Sequence, residues 1–203
     1  MEYTILGKTN LKISRIGFGA WGIGGGAPVL RWKDMWKAND KDSKESLATA
    51  YENGINFYDT AFVYGDGHSE RLIAEVLGDK DVVIATKVPP MDRHWPARNK
   101  DINQVFPRDY IIEKAKESYK NLGERTIDLL QLHVWLDEWF DSDNWREAFV
   151  VLRQQGIARF FGVSINDHNP NSALKLVNSG EIDTIQIIYN IFDQSPQDSL
   201  FFP

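Results

Sequence analysis

Strand-like apolar runs alternate with helical stretches along most of this chain, and five of the runs close on a polar residue. They cover 55–59, 82–87, 128–133, 158–164 and 183–186, and end on Asp59, Lys87, His133, Ser164 and Gln186. Strands separated by helices form βαβ units and hence a parallel sheet. Polar groups collected at one end of successive buried strands are what a (β/α) barrel uses to build an active site. A short strand within 15–20 brings the count to six, and residues 3–14 form two short runs about Gly7 that read as a β-hairpin. The expected fold is α/β: a parallel (β/α)8 TIM barrel with an N-terminal β-hairpin, in one domain over 1–203. About six of the eight strands are present, and the expectation is that two βα units lie beyond Pro203 in a longer chain.

Helices are predicted over 42–53, 69–77, 108–122, 143–155 and 170–178, each followed closely by a glycine: Gly54, Gly78, Gly123, Gly156 and Gly180. The last strand is predicted to run over 183–189, and 88–107 reads as a long irregular stretch. Net charge narrows the partners. Twenty-nine acidic against twenty-three basic side chains, −6 overall, argue against a nucleic-acid footprint, which needs a basic face. No apolar run reaches the roughly 20 residues needed to span a bilayer. Residues 1–4 carry neither the basic nor the apolar region of a signal peptide, so a cytoplasmic protein is expected. The absence of cysteine removes disulfide and thiolate chemistry. His68, His94, His133 and His168 show no paired ligand spacing, and no metal is expected.

Gly17-Phe18-Gly19-Ala20-Trp21-Gly22 matches the dinucleotide fingerprint G-x-G-x-x-G, but the context is wrong. That motif needs a helix opening at its last glycine and an acidic residue about 20 positions on. Here Gly22 runs into Ile23-Gly24-Gly25-Gly26-Ala27-Pro28, a poor start for a helix. The glycines instead let backbone approach a flat ligand at the barrel mouth.

Singly, each polar residue has a bland explanation: Asp59 a strand terminator, Tyr64 a packed aromatic, Lys87 a solvated strand end, His133 a satisfied core histidine. All four, however, fall at or just beyond strand carboxyl ends, where parallel barrels place chemistry. Together they suit carbonyl reduction. A hydride delivered to a carbonyl carbon leaves an alkoxide that must take up a proton, and Tyr64 can give one. An adjacent Lys87 cation is expected to lower the phenol's ordinary pKa of about 10. Asp59 would hold Lys87 if their strands are neighbours, and His133 can donate to the carbonyl oxygen.

Residues 56–70, Asn-Phe-Tyr-Asp-Thr-Ala-Phe-Val-Tyr-Gly-Asp-Gly-His-Ser-Glu, resemble the signature segment of the aldo-keto reductases. The likeness continues through Ala85-Thr86-Lys87, Asp128 to His133 and Arg159 to Ser164, in the expected order. It implies an NADP(H)-dependent reductase of aldehydes or ketones, with NAD(H) as the alternative cofactor and a small carbonyl compound as substrate. Asp59, Tyr64, Lys87 and His133 resemble the family's catalytic tetrad, with Tyr64 as general acid. Ser164, Asn166 and Gln186 resemble residues that hold the nicotinamide carboxamide, and Gly19-Ala20-Trp21 the loop beside the nicotinamide ribose. Trp21, Met91, Trp95 and Trp135 are expected to wall an apolar substrate pocket.

Three departures stand out. Ile165 separates Ser164 from Asn166, where the family has Ser followed at once by Asn. The segment 22–41 is longer than the usual first loop and carries Trp32 and Trp36, as a substrate lid or a docked surface excursion. The family's last two strands, with the phosphate-gripping basic residues that follow, have no counterpart. Two rival readings are a nicotinamide-binding regulatory subunit, favoured if Trp135, Trp139 and Trp145 form an exposed surface, and an inactive truncated fragment. For those tryptophans a pocket wall after the fourth strand is the preferred expectation.

Overall fold

A computed structural model of the chain describes residues 1–25, 38–96, 100–165 and 169–201. The hairpin forms as expected, β1 (Tyr3–Ile5) antiparallel to β2 (Lys12–Ser14), with Tyr3 opposite Ser14. Six parallel strands follow: β3 (Phe18–Gly19), β4 (Phe57–Asp59), β5 (Val83–Val88), β6 (Ile127–Leu132), β7 (Ala158–Ser164) and β8 (Thr184–Gln186). They pair in sequence order, each with the next. Between them lie α1 (Asp40–Glu52), α2 (His68–Leu77), a short α3 (Ile102–Val105), α4 (Arg108–Asn121), α5 (Asn144–Gln154) and α6 (Leu174–Ser179).

Local chemistry accounts for the helices. Asn39 caps α1 by accepting from the Lys41 amide, with Asp40 and Asp42 in the first turn. Leu47 and Ala50 on α1, Leu72, Ile73 and Leu77 on α2, and Ile111 and Ala115 on α4 turn inward at helical spacing. β5 and β6 are buried along their whole length, as strands covered on both faces must be.

Period-2 alternation divides the strands between two cores. Tyr58, Ile84, Val88, Leu130, Leu132, Phe161 and Val163 join the helices in the large outer cluster. Phe57, Val83 and Phe160 meet Leu6, Leu11 and Ile13 of the hairpin in a separate inner cluster. The hairpin thus covers the amino-terminal end of the sheet's inner face. Toward the carboxyl end the same face passes through Ala85 and Gly162 to Asp59, Lys87, Ser164 and Gln186.

One contact shows that the sheet is curled. β4 and β8 are four strands apart, about 19 Å if the sheet were flat. Yet Gln186 Nε2 donates to Asp59 Oδ2 at 3.2 Å. Only a sheet wrapped as in a barrel brings these side chains together.

Boundaries differ from expectation at the carboxyl end. The predicted helix 170–178 is a 3-10 turn, Pro170–Ala173, followed by α6, and the predicted strand 183–189 stops at Gln186. Among the described residues Ile187 to Tyr189 have no ladder partner, so apolarity alone overstates the strand. No helix among the described residues is long and apolar enough to cross a membrane.

Candidate active site

Backbone bonds carry the sheet's order past the strand ends and set the start of each functional segment. The Ala20 amide donates to Asp59 O (2.8 Å), Thr60 to Ala85 O (2.8 Å), Phe62 to Lys87 O (3.2 Å) and His133 to Val88 O (2.9 Å). β4 and β5 are neighbours, with Asp59 opposite Ala85. Lys87, 1% exposed, donates from Nζ to Asp59 Oδ1 at 2.6 Å and to Thr60 O at 2.8 Å. An ammonium so deeply enclosed requires both partners.

Tyr64 sits in the turn after β4, its amide donating to Ala61 O (3.0 Å) and its carbonyl accepting from the Ser69 amide (3.1 Å). Gly65, Asp66 and Gly67 all have left-handed backbone, at φ 69°, 48° and 83°. That run turns the chain sharply from Tyr64 into α2. The Tyr64 ring meets His133 edge-on, centroids 6.0 Å apart, and Lys87 Nζ lies 5.6 Å from the Tyr64 centroid. Trp95 also meets His133 edge-on, at 5.5 Å.

Tyr64, Lys87, His133, Ser164 and Gln186 line one cleft of about 140 Å³ with Ile165, Ile187 and Ile188. Two buried atoms here have no hydrogen-bond partner among the described residues: His133 Nδ1 and Gln186 Oε1. Orphaned polar atoms in a cleft are costly unless a ligand satisfies them.

The electrostatics correct one expectation. Burial pushes the Tyr64 phenol above its ordinary 10.0, and the Asp59 charge pushes it further the same way. The expected depression by Lys87 is not found: burial and the Asp59 charge both act upward. Burial draws Lys87 below its ordinary value, with Asp59 opposing. Burial, then the Lys87 charge, hold His133 well below 6.5. The cleft therefore presents a protonated phenol, a neutral imidazole and a carboxylate-paired lysine. Such a set can hand a proton to a bound oxygen and offset the charge left behind.

The other expected site residues are placed unevenly. Gly19 ends β3 opposite Asp59, and a Cβ built on it would meet no described atom within 4 Å beyond its chain neighbours, so the backbone is open to a flat ligand. Ala20 is fully buried, whereas Trp21 is 57% exposed beyond it. Met91 is exposed in the loop after β5. Trp135 is a correction. It is 0% exposed, stacked edge-on against Trp139 and Trp145, with Nε1 donating to Asp137 Oδ1 (3.1 Å). All three tryptophans belong to the outer core, neither to a pocket wall nor to an exposed surface. The indole N–H found a partner inside, which removed the need to face the cleft. Asn166, His168, Trp32 and Trp36 lie outside the described residues. Sequence reading missed Ile187 and Ile188 as cleft residues, since both had been assigned to the last strand.

Polar groups closing consecutive parallel strands, on a sheet curled as in a barrel, define an α/β-barrel protein with its site at the strand carboxyl ends. The family follows from comparison. The aldo/keto reductase family profile matches residues 15–201, and the chain belongs to this family. It is 32% identical over 204 aligned residues to aldo-keto reductase YhdN of Bacillus subtilis, covering 98% of this chain and 57% of that protein. It is 31% identical over 140 residues to a probable voltage-gated potassium channel subunit beta of Arabidopsis thaliana, covering 66% of this chain and 37% of that protein. Among solved structures, the holo form of aldo-keto reductase AKR11C1 from Bacillus halodurans superposes with a TM-score of 0.74 at 29% identity, covering 98% of this chain and 61% of that one. The chain thus spans under two thirds of the length of these relatives.

Proposed function

We propose that this chain carries the proton-transfer site and the nicotinamide side of the cofactor site of an NADP(H)-dependent reductase of aldehydes or ketones. The observation that carries the reading is buried Lys87, bound to part-buried Asp59 at 2.6 Å and lining the same cleft as Tyr64 and His133. A structural ion pair needs no phenol and imidazole beside it, whereas proton delivery to a carbonyl oxygen does.

The cleft also suits an aromatic amide. Gln186 Oε1 is an acceptor without a partner among the described residues, Ser164 lines the same cleft, and Gly19, in the neighbouring pocket with Asp59, leaves room for a flat ring. These residues would hold the nicotinamide ring of NADP(H), which supplies the hydride when bound. The Tyr64 hydroxyl gives its proton to the substrate oxygen, with the high pKa keeping that proton in place through neutral pH. The phenolate left behind faces the Lys87 ammonium, which Asp59 keeps charged and in place. Neutral His133 donates an N–H to the same oxygen, orienting and polarising it. Trp95, against His133, and Trp21 complete an apolar approach for the carbonyl compound.

Tyr64→Phe in the full-length protein tests the assignment. NADPH-dependent reduction of an aromatic aldehyde is expected to fall by about 10²–10⁴-fold, with cofactor binding retained. A variant as active as the parent would sink it. A second reading, a nicotinamide-binding regulatory subunit, is favoured by the likeness to the potassium channel beta subunit. It predicts cofactor binding without turnover and no effect of Tyr64→Phe.

A further inference from the structure

Thr60, Ser69, Glu70 and Thr86 are each 0% exposed, and none of them lines the cleft. The first turn of α2 connects them. Ser69 Oγ donates to Ala20 O (3.1 Å) and accepts from Thr60 Oγ1 (2.9 Å). Glu70 Oε1 accepts from Thr86 Oγ1 (2.6 Å), and Oε2 accepts from Asn121 Nδ2 (2.9 Å). Two consecutive residues thereby grip the carboxyl ends of β3, β4 and β5 and the last residue of α4.

Each gripped position adjoins the site. Ala20 donates its amide to Asp59, Thr60 follows Asp59, and Thr86 precedes Lys87. Thr60 also supplies the carbonyl that Lys87 Nζ binds at 2.8 Å. Thr86 and Lys87 point to opposite faces of β5, so a bond holding Thr86 from behind fixes where Lys87 leaves the strand in front.

Stability alone does not explain these groups. Buried polar clusters replaced by apolar residues of the same shape are often neutral or more stable. Directional bonds in a fully satisfied network instead restrict geometry, which packing does less sharply. Burial pushes the Glu70 carboxyl above its ordinary range, and the Thr86 and Asn121 bonds act against that shift.

We infer that Glu70 is a positioning residue: through Thr86, and with Ser69 acting on Thr60, it sets the Lys87 ammonium against Asp59 and Tyr64. This rests on the reductase reading for its kinetic consequence, though not for its geometric one.

Three variants of the full-length protein test it by kinetics and by crystal structure. Thr86→Val removes the donor at nearly constant shape, Glu70→Ala removes the acceptor, and Glu70→Gln keeps an acceptor for Thr86. Thr86→Val and Glu70→Ala are expected to lower kcat by roughly 10–100-fold, with KM changed less than about threefold. Glu70→Gln should recover part of kcat, since it keeps the acceptor for Thr86 and loses the bond from Asn121, whose Oδ1 is held by Arg71 (3.1 Å). In the Thr86→Val crystal, Lys87 Nζ should move from Asp59 by more than about 0.5 Å. If Glu70→Ala does not fold, Thr86→Val carries the test. Unchanged kcat with Lys87 unmoved overturns the inference, whatever the change in melting temperature. If the parent protein turns over no carbonyl, the reductase reading fails, and the Lys87 position in Thr86→Val alone decides: displaced supports the inference, unmoved overturns it.

Discussion

Tyr64 is held as much by a neighbouring backbone as by its own turn. A Cβ built on Gly24 would lie 2.7 Å from both the carbonyl carbon and the Cβ of Tyr64, and one built on Gly65 would collide with Gly24 O. The loop after β3 therefore presses flush on the residue assigned as proton donor. Gly24→Ala is expected to cost about 1–3 kcal/mol by overpacking, and to reduce turnover about tenfold or more by shifting the phenol. Gly22→Ala is the control. No described atom lies within 4 Å of the added carbon, so stability should stay within about 0.5 kcal/mol. Denaturant unfolding and steady-state kinetics on the two variants separate local pressure on Tyr64 from a general effect of altering the loop.

Among the elements, α6 shows why a helical pattern did not become a continuous helix. Ala173 takes φ −130° and has no side chain to cap the turn that follows. Asp137, from the 3-10 turn after β6, supplies the cap: Oδ2 accepts from the Lys175 amide (2.6 Å) and Oδ1 from Leu176 (3.2 Å). The same Oδ1 accepts from Trp135 Nε1, so one carboxylate fastens α6 to the aromatic core. Asp137→Ala should destabilise the protein by about 1–2 kcal/mol in urea unfolding. Trp135→Ala should cost about 3–5 kcal/mol by cavity formation. Trp135→Phe should leave KM for an aromatic aldehyde unchanged, whereas a change in KM would return Trp135 to the pocket.

Across the whole molecule, burying the site links its protonation to stability. His133 is held well below its ordinary 6.5 in the folded protein, by burial first and the Lys87 charge second. Below pH 6.5 the unfolded chain takes up a proton there that the folded chain refuses, so stability falls as pH falls. The slope from this group is at most about 1.4 kcal/mol per pH unit. Glu70, with a raised value, acts in the opposite sense between its ordinary 4.5 and its folded value. The comparison that isolates His133 is therefore parent against His133→Gln, by unfolding at a series of pH values from 7 to 5 on the order of half a unit apart. The parent should lose more stability than the variant over that range. Parallel curves would mean that His133 titrates normally.

Period 2 in the strands, period 3.6 in the helices and glycines after the helices are near-neighbour properties. They determined the element types and the placing of Asp59, Lys87, His133, Ser164 and Gln186 at strand ends. The limits of that reading also have a local cause. The apolar run after Gln186 looked like more strand because apolarity does not record whether a ladder partner exists. What lay beyond sequence was decided by residues far apart in the chain. The curl that brings Gln186 to Asp59 spans 127 positions, and the bond from Asn121 to Glu70 spans 51. Trp135 is the exception, turned inward by partners in its own segment, Asp137, Trp139 and Trp145. Tyr64 rose in pKa where a fall was expected because tertiary burial set its solvation and brought the Asp59 charge near it. Local pattern selects elements through short-range sterics and periodicity, whereas solvation and side-chain partners exist only once the sheet has closed around the site.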